Sequence, residues 1–206
     1  MPKEEWRESL RPRIDRARRQ LQEETAGDIA RRAGGTLHKG VLLLPLLGAE
    51  YTIDWPELSI AFPDGSRCPE ELEILILDYL ARSDGSPPAG AWIGFQELPD
   101  GAFYRSAFQG YSGDRLVRDL GADGDLFRRA AAASGGEPVP MGDAAFAFRA
   151  LPNVLLAVVW WDGDDEFPAN ATVLFDRIAG VYLPTDGLAI LGRMLCSGLA
   201  KAAVSA

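Results

Sequence analysis

A chain of 206 residues with 47 % apolar and 25 % charged side chains has the composition of a folded domain, which excludes a disordered or low-complexity polypeptide. Its net charge of −9 is uneven: residues 1–35 carry nine basic and seven acidic side chains, a net of +2, so −11 falls on the remainder. Such a body repels a phosphate backbone and argues against general nucleic-acid binding.

The two cysteines, Cys68 and Cys196, are far apart and form no CxxC pair, so neither an iron–sulfur cluster nor a structural zinc is expected. They read as reduced thiols of a cytoplasmic protein. No apolar run approaches the ~20 residues of a membrane span, so no membrane partner is expected. The segment Met1 to Trp6 is charged and lacks the apolar stretch of a signal peptide.

In chain order, Trp6, Leu10, Ile14, Ala17 and Leu21 recur at three- and four-residue spacing and predict an amphipathic helix within residues 1–24, arginines on its other side. Pro12 inside the pattern predicts a start near Arg11 or a kink. The arginine-rich face reads either as a solvated surface or as a docking element for an acidic partner or for the chain's own acidic body. Thr25, three residues before Asp28, predicts the cap of a short second helix that ends at Gly34-Gly35.

Gly40 to Leu47, Glu50 to Trp55 and Leu58 to Phe62 are short β-prone runs separated by turn residues, and predict an antiparallel meander. Pro69-Glu70-Glu71 opens a helix carrying Leu72, Leu75, Tyr79 and Leu80, apolar on most of its circumference. Ser83 to Ala91 is a Gly-, Pro- and Ser-rich loop. Trp92 to Leu98 reads as a short strand or an irregular segment. Helical pieces follow at Phe103 to Phe108, Arg115 to Leu120 and Leu126 to Ala133, interrupted by glycines.

Three further strands are predicted at Ala144 to Arg149, Val154 to Trp161 and Ala171 to Asp176; the continuously apolar 154–159 stretch is that of a central strand. Pro184-Thr185-Asp186 opens a last amphipathic helix through Leu188, Leu191, Leu195 and Leu199. The expected fold class is α+β: after the N-terminal helix of residues 1–24, a single domain over 25–206 with a mainly antiparallel sheet packed against several helices. A boundary near Gly135-Gly136 is rejected, because the later strands would lack a core of their own.

The densest candidate chemistry is Asp162-Gly163-Asp164-Asp165-Glu166. Four carboxylates this close repel one another unless water, a cation or a basic side chain neutralises them. Asp-Gly is also a good hairpin turn, so the plain reading is a solvated turn. The functional reading is a Mg²⁺ or Ca²⁺ site with Asp162, Asp164, Glu166 and Asp176 as oxygen ligands, Asp176 joining only if the hairpin register brings it close. The calcium-loop pattern itself fails, since Phe167 and Val173 stand where it needs Gly and Glu.

The segment Gly90 to Tyr104 interleaves aromatic residues with glycine. Trp92, Phe95, Glu97 and Tyr104, joined by Trp161, are candidates for the wall of a ligand pocket, or for a surface loop pinned by its own rings. His38, the only histidine, reads as a surface residue, and no GxSxG, HExxH, Walker or strand-borne GxGxxG sequence occurs.

Ala150-Leu151-Pro152, the run from Trp160 through Ala169, Leu174-Phe175-Asp176 and Tyr182-Leu183-Pro184 resemble the prokaryotic domain-of-unknown-function family 3786, as do Gly90 through Pro99 and Gly142-Asp143. The resemblance runs from about Asp28 to Leu199. It implies a setting in anaerobic redox, one-carbon or corrinoid-linked metabolism, although this chain lacks the cysteines of the iron–sulfur module that some relatives carry. It carries over no catalytic residues, which stay unassigned, and its recurrent acidic loop implies a role for Asp164, Glu166 and Asp176.

Three functions follow as expectations. The first is an accessory protein binding a small molecule or cofactor between the Trp92–Tyr104 segment and the acidic hairpin. The second is a divalent-cation-dependent, hydrolase-like enzyme built on that hairpin. The third is an interaction module that docks a protein partner through its N-terminal helix.

Overall fold

The computed structural model describes residues 3–204, with side chains from Leu10 onward; the side chain of Trp6, expected on the apolar stripe, lies outside the described residues. The fold class is α+β, with two antiparallel sheets. Contacts gather into two compact units: Met1–Pro87 with Leu151–Asn153 and Val181–Pro184, and Pro88–Ala150 with Val154–Gly180 and Thr185–Ala206. The division at Pro87–Pro88 falls inside the Gly-, Pro- and Ser-rich loop that stands out in the sequence.

The first unit holds a four-stranded meander, β1 (Thr36–His38), β2 (Val41–Leu46), β3 (Ala49–Asp54) and β4 (Ile60–Ala61), in that spatial order. Leu42, Leu44 and Leu46 alternate inward on β2, and Tyr51 and Ile53 do so on β3. Leu47 and Gly48, both at positive φ, make the two-residue turn between them. Sequence reading missed β1, which is three exposed residues with no apolar alternation.

The unit's helices are α1 (Lys3–Gln22), α2 (Ala26–Ala33) and α3 (Glu70–Arg82). Helix α1 starts at Lys3 and runs through Pro12, not from Arg11, because its buried stripe of Leu10, Ile14, Ala17 and Leu21 spans the proline. That burial offsets the backbone bond the proline cannot donate. Its arginines reach α3: Arg13 pairs with Asp78 at 2.8 Å, Arg18 with the buried Glu73 at 2.6 Å and Arg11 with Glu70 at 3.8 Å. Thr25 caps α2 by accepting from the Asp28 N–H at 3.1 Å, and Gly34 closes it in the left-handed region. The Tyr79 hydroxyl donates to the Ala33 carbonyl and accepts from the Asn153 N–H, tying α3 to α2 and to the Pro152-Asn153 turn.

The second unit holds a five-stranded sheet in the order β5 (Trp92–Gly94), β9 (Asn170–Asp176), β8 (Val154–Trp161), β7 (Ala144–Leu151), β6 (Glu137–Pro138). Central β8 is buried along nearly its whole length, as its unbroken apolar run requires. Helices α4 (Gly101–Tyr111), α5 (Gly113–Asp119), α6 (Gly124–Ala133) and α8 (Thr185–Val204) complete the unit, with the short α7 (Ala179–Tyr182) leading into α8. Buried Trp160 stacks on Phe127 at 5.1 Å, and Phe95 stacks on Phe108 at 4.1 Å beside Phe175. Glycine is required where α5 meets β9: a Cβ on Gly113 would lie 1.9 Å from the Ala171 carbonyl oxygen.

Helix α8 is long and apolar enough, by length and composition, to cross a bilayer, which corrects the expectation that no segment qualifies. Its apolar positions do other work here. Leu188, Leu191, Leu195, Cys196 and Leu199 are buried in the second unit, and Gly192 lets the Phe108 ring approach within 3.0 Å of where its Cβ would stand.

Candidate functional site

The acidic segment is the connection between β8 and β9, residues 162–169, and is longer than a two-residue Asp-Gly turn because the ladder closes at Trp161 opposite Asn170. Two of its four carboxylates, Asp162 and Asp164, are engaged by protein. Asp162 accepts from the Trp160 indole N–H at 2.8 Å on Oδ1 and from Arg128 at 3.2 Å on Oδ2. Asp143 holds the Asp162 N–H at 2.8 Å, and its own N–H donates to the Trp160 carbonyl. Arg128 also donates to Asp125 and to the Asp143 carbonyl; its hydrogen bond to Asp162 raises the guanidinium above its ordinary range.

Asp164 Oδ1 accepts from the N–H groups of Phe167 at 2.7 Å and Glu166 at 2.8 Å. These two donors hold its carboxyl below the usual aspartate range. Asp165 and Glu166 are exposed.

Asp176 does not join them. It lies six residues beyond Asn170 at the other end of β9, roughly 20 Å away at ~3.3 Å per residue. There it is fully buried, accepting from Ala89 at 2.9 Å, Gly90 at 2.7 Å and Ile178 at 3.0 Å, and so fixes the loop entering β5. The expected ligand set of Asp162, Asp164, Glu166 and Asp176 is thereby corrected: it divides between two ends of one strand. Among the described residues no group of three or more His, Cys, Asp or Glu is placed to hold a metal ion.

The aromatic candidates also separate. Trp92 pairs across from Asp176 on β5, half-buried. Glu97 turns back onto its own segment and accepts from the Gly94 N–H at 2.7 Å, while Tyr104 stands exposed on α4. Phe95 and Trp161, in contrast, line one cavity of about 400 Å³ in the second unit. Strand β5 pairs only with Leu174–Asp176, which leaves the outer edge of β9 from Asn170 to Val173 open. The cavity follows that edge past Asn170, Thr172 and Leu174, and α4 and α5 bring Arg105, Phe108, Gln109 and Asp114 to its other side.

Gln109 organises the polar wall. Its amide donates to Asp114 Oδ1 at 2.7 Å and to the Ala171 carbonyl at 2.8 Å, the latter being a backbone acceptor on the open edge of β9. Sequence reading missed Arg105, Gln109 and Asp114. The spacing of Arg105 and Gln109, four apart on one helix face, was the available signal.

The N-terminal helix packs into the first unit, its apolar stripe buried and Arg11, Arg13 and Arg18 paired with α3, while Arg16 and Arg19 are exposed. His38 is exposed on β1. Both thiols are buried and unpaired, and burial pushes each up to about 12.

The chain belongs to the family described as Domain of unknown function (DUF3786), which matches residues 25–197 and so begins just after α1. No curated protein and no solved structure matches it.

Proposed function

We propose that this member of the DUF3786 family is an accessory protein that binds a small molecule in the cavity along the open edge of β9. The observation that carries the reading is the convergence there of three aromatic side chains, Phe95, Phe108 and Trp161, with polar groups that include Arg105, Gln109 and Asp114. Its volume of about 400 Å³ lies within the ~300–1,000 Å³ range of metabolite pockets. The lining is mixed: Phe95, Phe108, Trp161 and Leu174 offer apolar contact to a ligand body, and Arg105, Gln109 and Asp114 offer polar groups to orient its head.

The state of the thiols argues against a cysteine nucleophile: burial pushes both up to about 12, and only a thiolate attacks. The two unpaired cysteines also support a reducing, cytoplasmic setting. The anaerobic one-carbon, corrinoid or redox context implied by the family remains our proposed setting. The cavity suits a metabolite of that chemistry better than an entire corrinoid macrocycle, which it is too small to enclose.

Thermal-shift screening of the full chain against a metabolite panel tests the proposal. A ligand at a hundredfold excess over its Kd stabilises the fold by about 2.7 kcal/mol, a visible shift in Tm. Binding should also change Trp fluorescence in the wild type and much less in Trp161→Phe. Stabilising ligands whose binding is indifferent to both Trp161→Phe and Gln109→Ala would move the site elsewhere.

A further inference from the structure

Resting on the cavity reading above, we infer that the ligand is a small zwitterion of α-amino-acid type, its carboxylate on Arg105 and its ammonium on Asp114. The lining contains one cation and one anion and no other ionisable side chain. Among the described residues these two form no ion pair with one another or with a third group, Asp114 accepting only from the neutral Gln109 amide. Opposite charges on one wall that stay apart leave both available to a ligand.

Gln109 holds the Asp114 side of this pair in place. It lies one helical turn after Arg105 on α4 and holds Asp114 Oδ1 through its amide, while the same amide anchors on Ala171. Asp114 Oδ2 accepts from no described residue, so the carboxylate keeps an oxygen for an incoming N–H donor. Helix α5 begins at Gly113, so Asp114 sits in its first turn, on the side of the cavity that faces β9.

Charge balance selects the ligand class. A molecule filling the cavity strips water from both walls, and every charge it covers without a partner costs free energy. A simple anion would satisfy Arg105 while dehydrating and repelling Asp114; a simple amine would do the reverse. A zwitterion satisfies both, and its side chain is left to meet Trp161, Phe95 and Leu174. Arginine is suited to the carboxylate end because its planar fork binds both oxygens.

The test is calorimetric titration of the full chain with each of the twenty L-α-amino acids, repeated for the tightest with its deamino and decarboxy counterparts. At least one amino acid should bind saturably, each truncated counterpart at least tenfold more weakly. Arg105→Met and Asp114→Asn should each weaken the parent tenfold or more without lowering Tm appreciably, both side chains being exposed. Equal binding of the deamino acid and the amino acid overturns the inference while leaving the cavity reading intact. So does failure of all twenty when other metabolites stabilise the chain through Trp161 and Gln109. If neither panel binds, both readings fall.

Discussion

The indole N–H of fully buried Trp160 donates to the carboxylate of Asp162, two residues along the chain, at 2.8 Å. The ring therefore sits in the core against Phe127 while its one polar atom is satisfied by an acid at the strand's exposed end. The same acid receives Arg128, so the start of the acidic connection is fastened to β8 and to α6.

Asp162→Ala should destabilise the protein by about 1–3 kcal/mol, because it leaves the buried indole donor without an acceptor. The lost ion pair with half-exposed Arg128 adds little, such pairs being worth ~0–1 kcal/mol. Urea unfolding is the measurement, and Arg128→Ala should accordingly cost less than Asp162→Ala.

Gly113→Ala and Gly110→Ala form a matched pair. A Cβ at Gly113 collides with the Ala171 carbonyl at 1.9 Å, whereas one at Gly110 meets nothing within 4 Å. The first should lose roughly 1–3 kcal/mol or more by overpacking. The second should gain up to ~1 kcal/mol from helix propensity, read as opposite shifts in Tm.

The N-terminal helix should prove structural. Leu21 is fully buried, so Leu21→Ala should cost about 2–5 kcal/mol. Removing residues 1–22 should expose the α3 face and raise binding of an apolar dye; a truncated chain with unchanged Tm would show that the helix is dispensable to the fold.

Cys196 should resist thiol reagents in the native state and react on unfolding, as should Cys68. Their thiols titrate near 12 when folded against an ordinary value of 9.0. The folded protein thus keeps protons that the unfolded chain releases, and the stability this supplies is complete below about 9. It declines as pH rises from there toward about 12. Cys196→Ser should flatten that decline in chemical denaturation followed across the alkaline range.

At acid pH the loop should be governed by Asp164. Its carboxyl is held below the ordinary 3.8 by the Phe167 and Glu166 amides, so their contribution is complete above that value and disappears as pH falls through the lower, folded one. In NMR titration the two amide resonances should move together with a midpoint under 3.8; a midpoint at or above it would show that the hydrogen bonds do not persist in solution.

Local signals were legible wherever one residue or one short period decides the outcome. The cap at Thr25, the turn at Gly34, the alternation of β2 and β3 and the unbroken apolar run of β8 each report an environment that acts on a few neighbouring residues. Family membership was legible in the same way, through the Trp160–Ala169 run.

The site lay beyond that reach. The acidic run drew attention because its carboxylates crowd together in sequence, yet the Asn170–Trp161 register sends Asp176 to the far end of β9, where it caps a loop. What brought Trp161 into one cavity with Phe95, Arg105 and Asp114 was the shortness of β5, the approach of α5 over Gly113 and the grip of Gln109 on the edge of β9. Sequence by itself determined the elements, their caps and their buried faces, since these follow from local backbone preference and periodicity. Tertiary structure alone decided which acids are structural and which charges share a cavity, because strand register and helix placement are set by packing between distant residues.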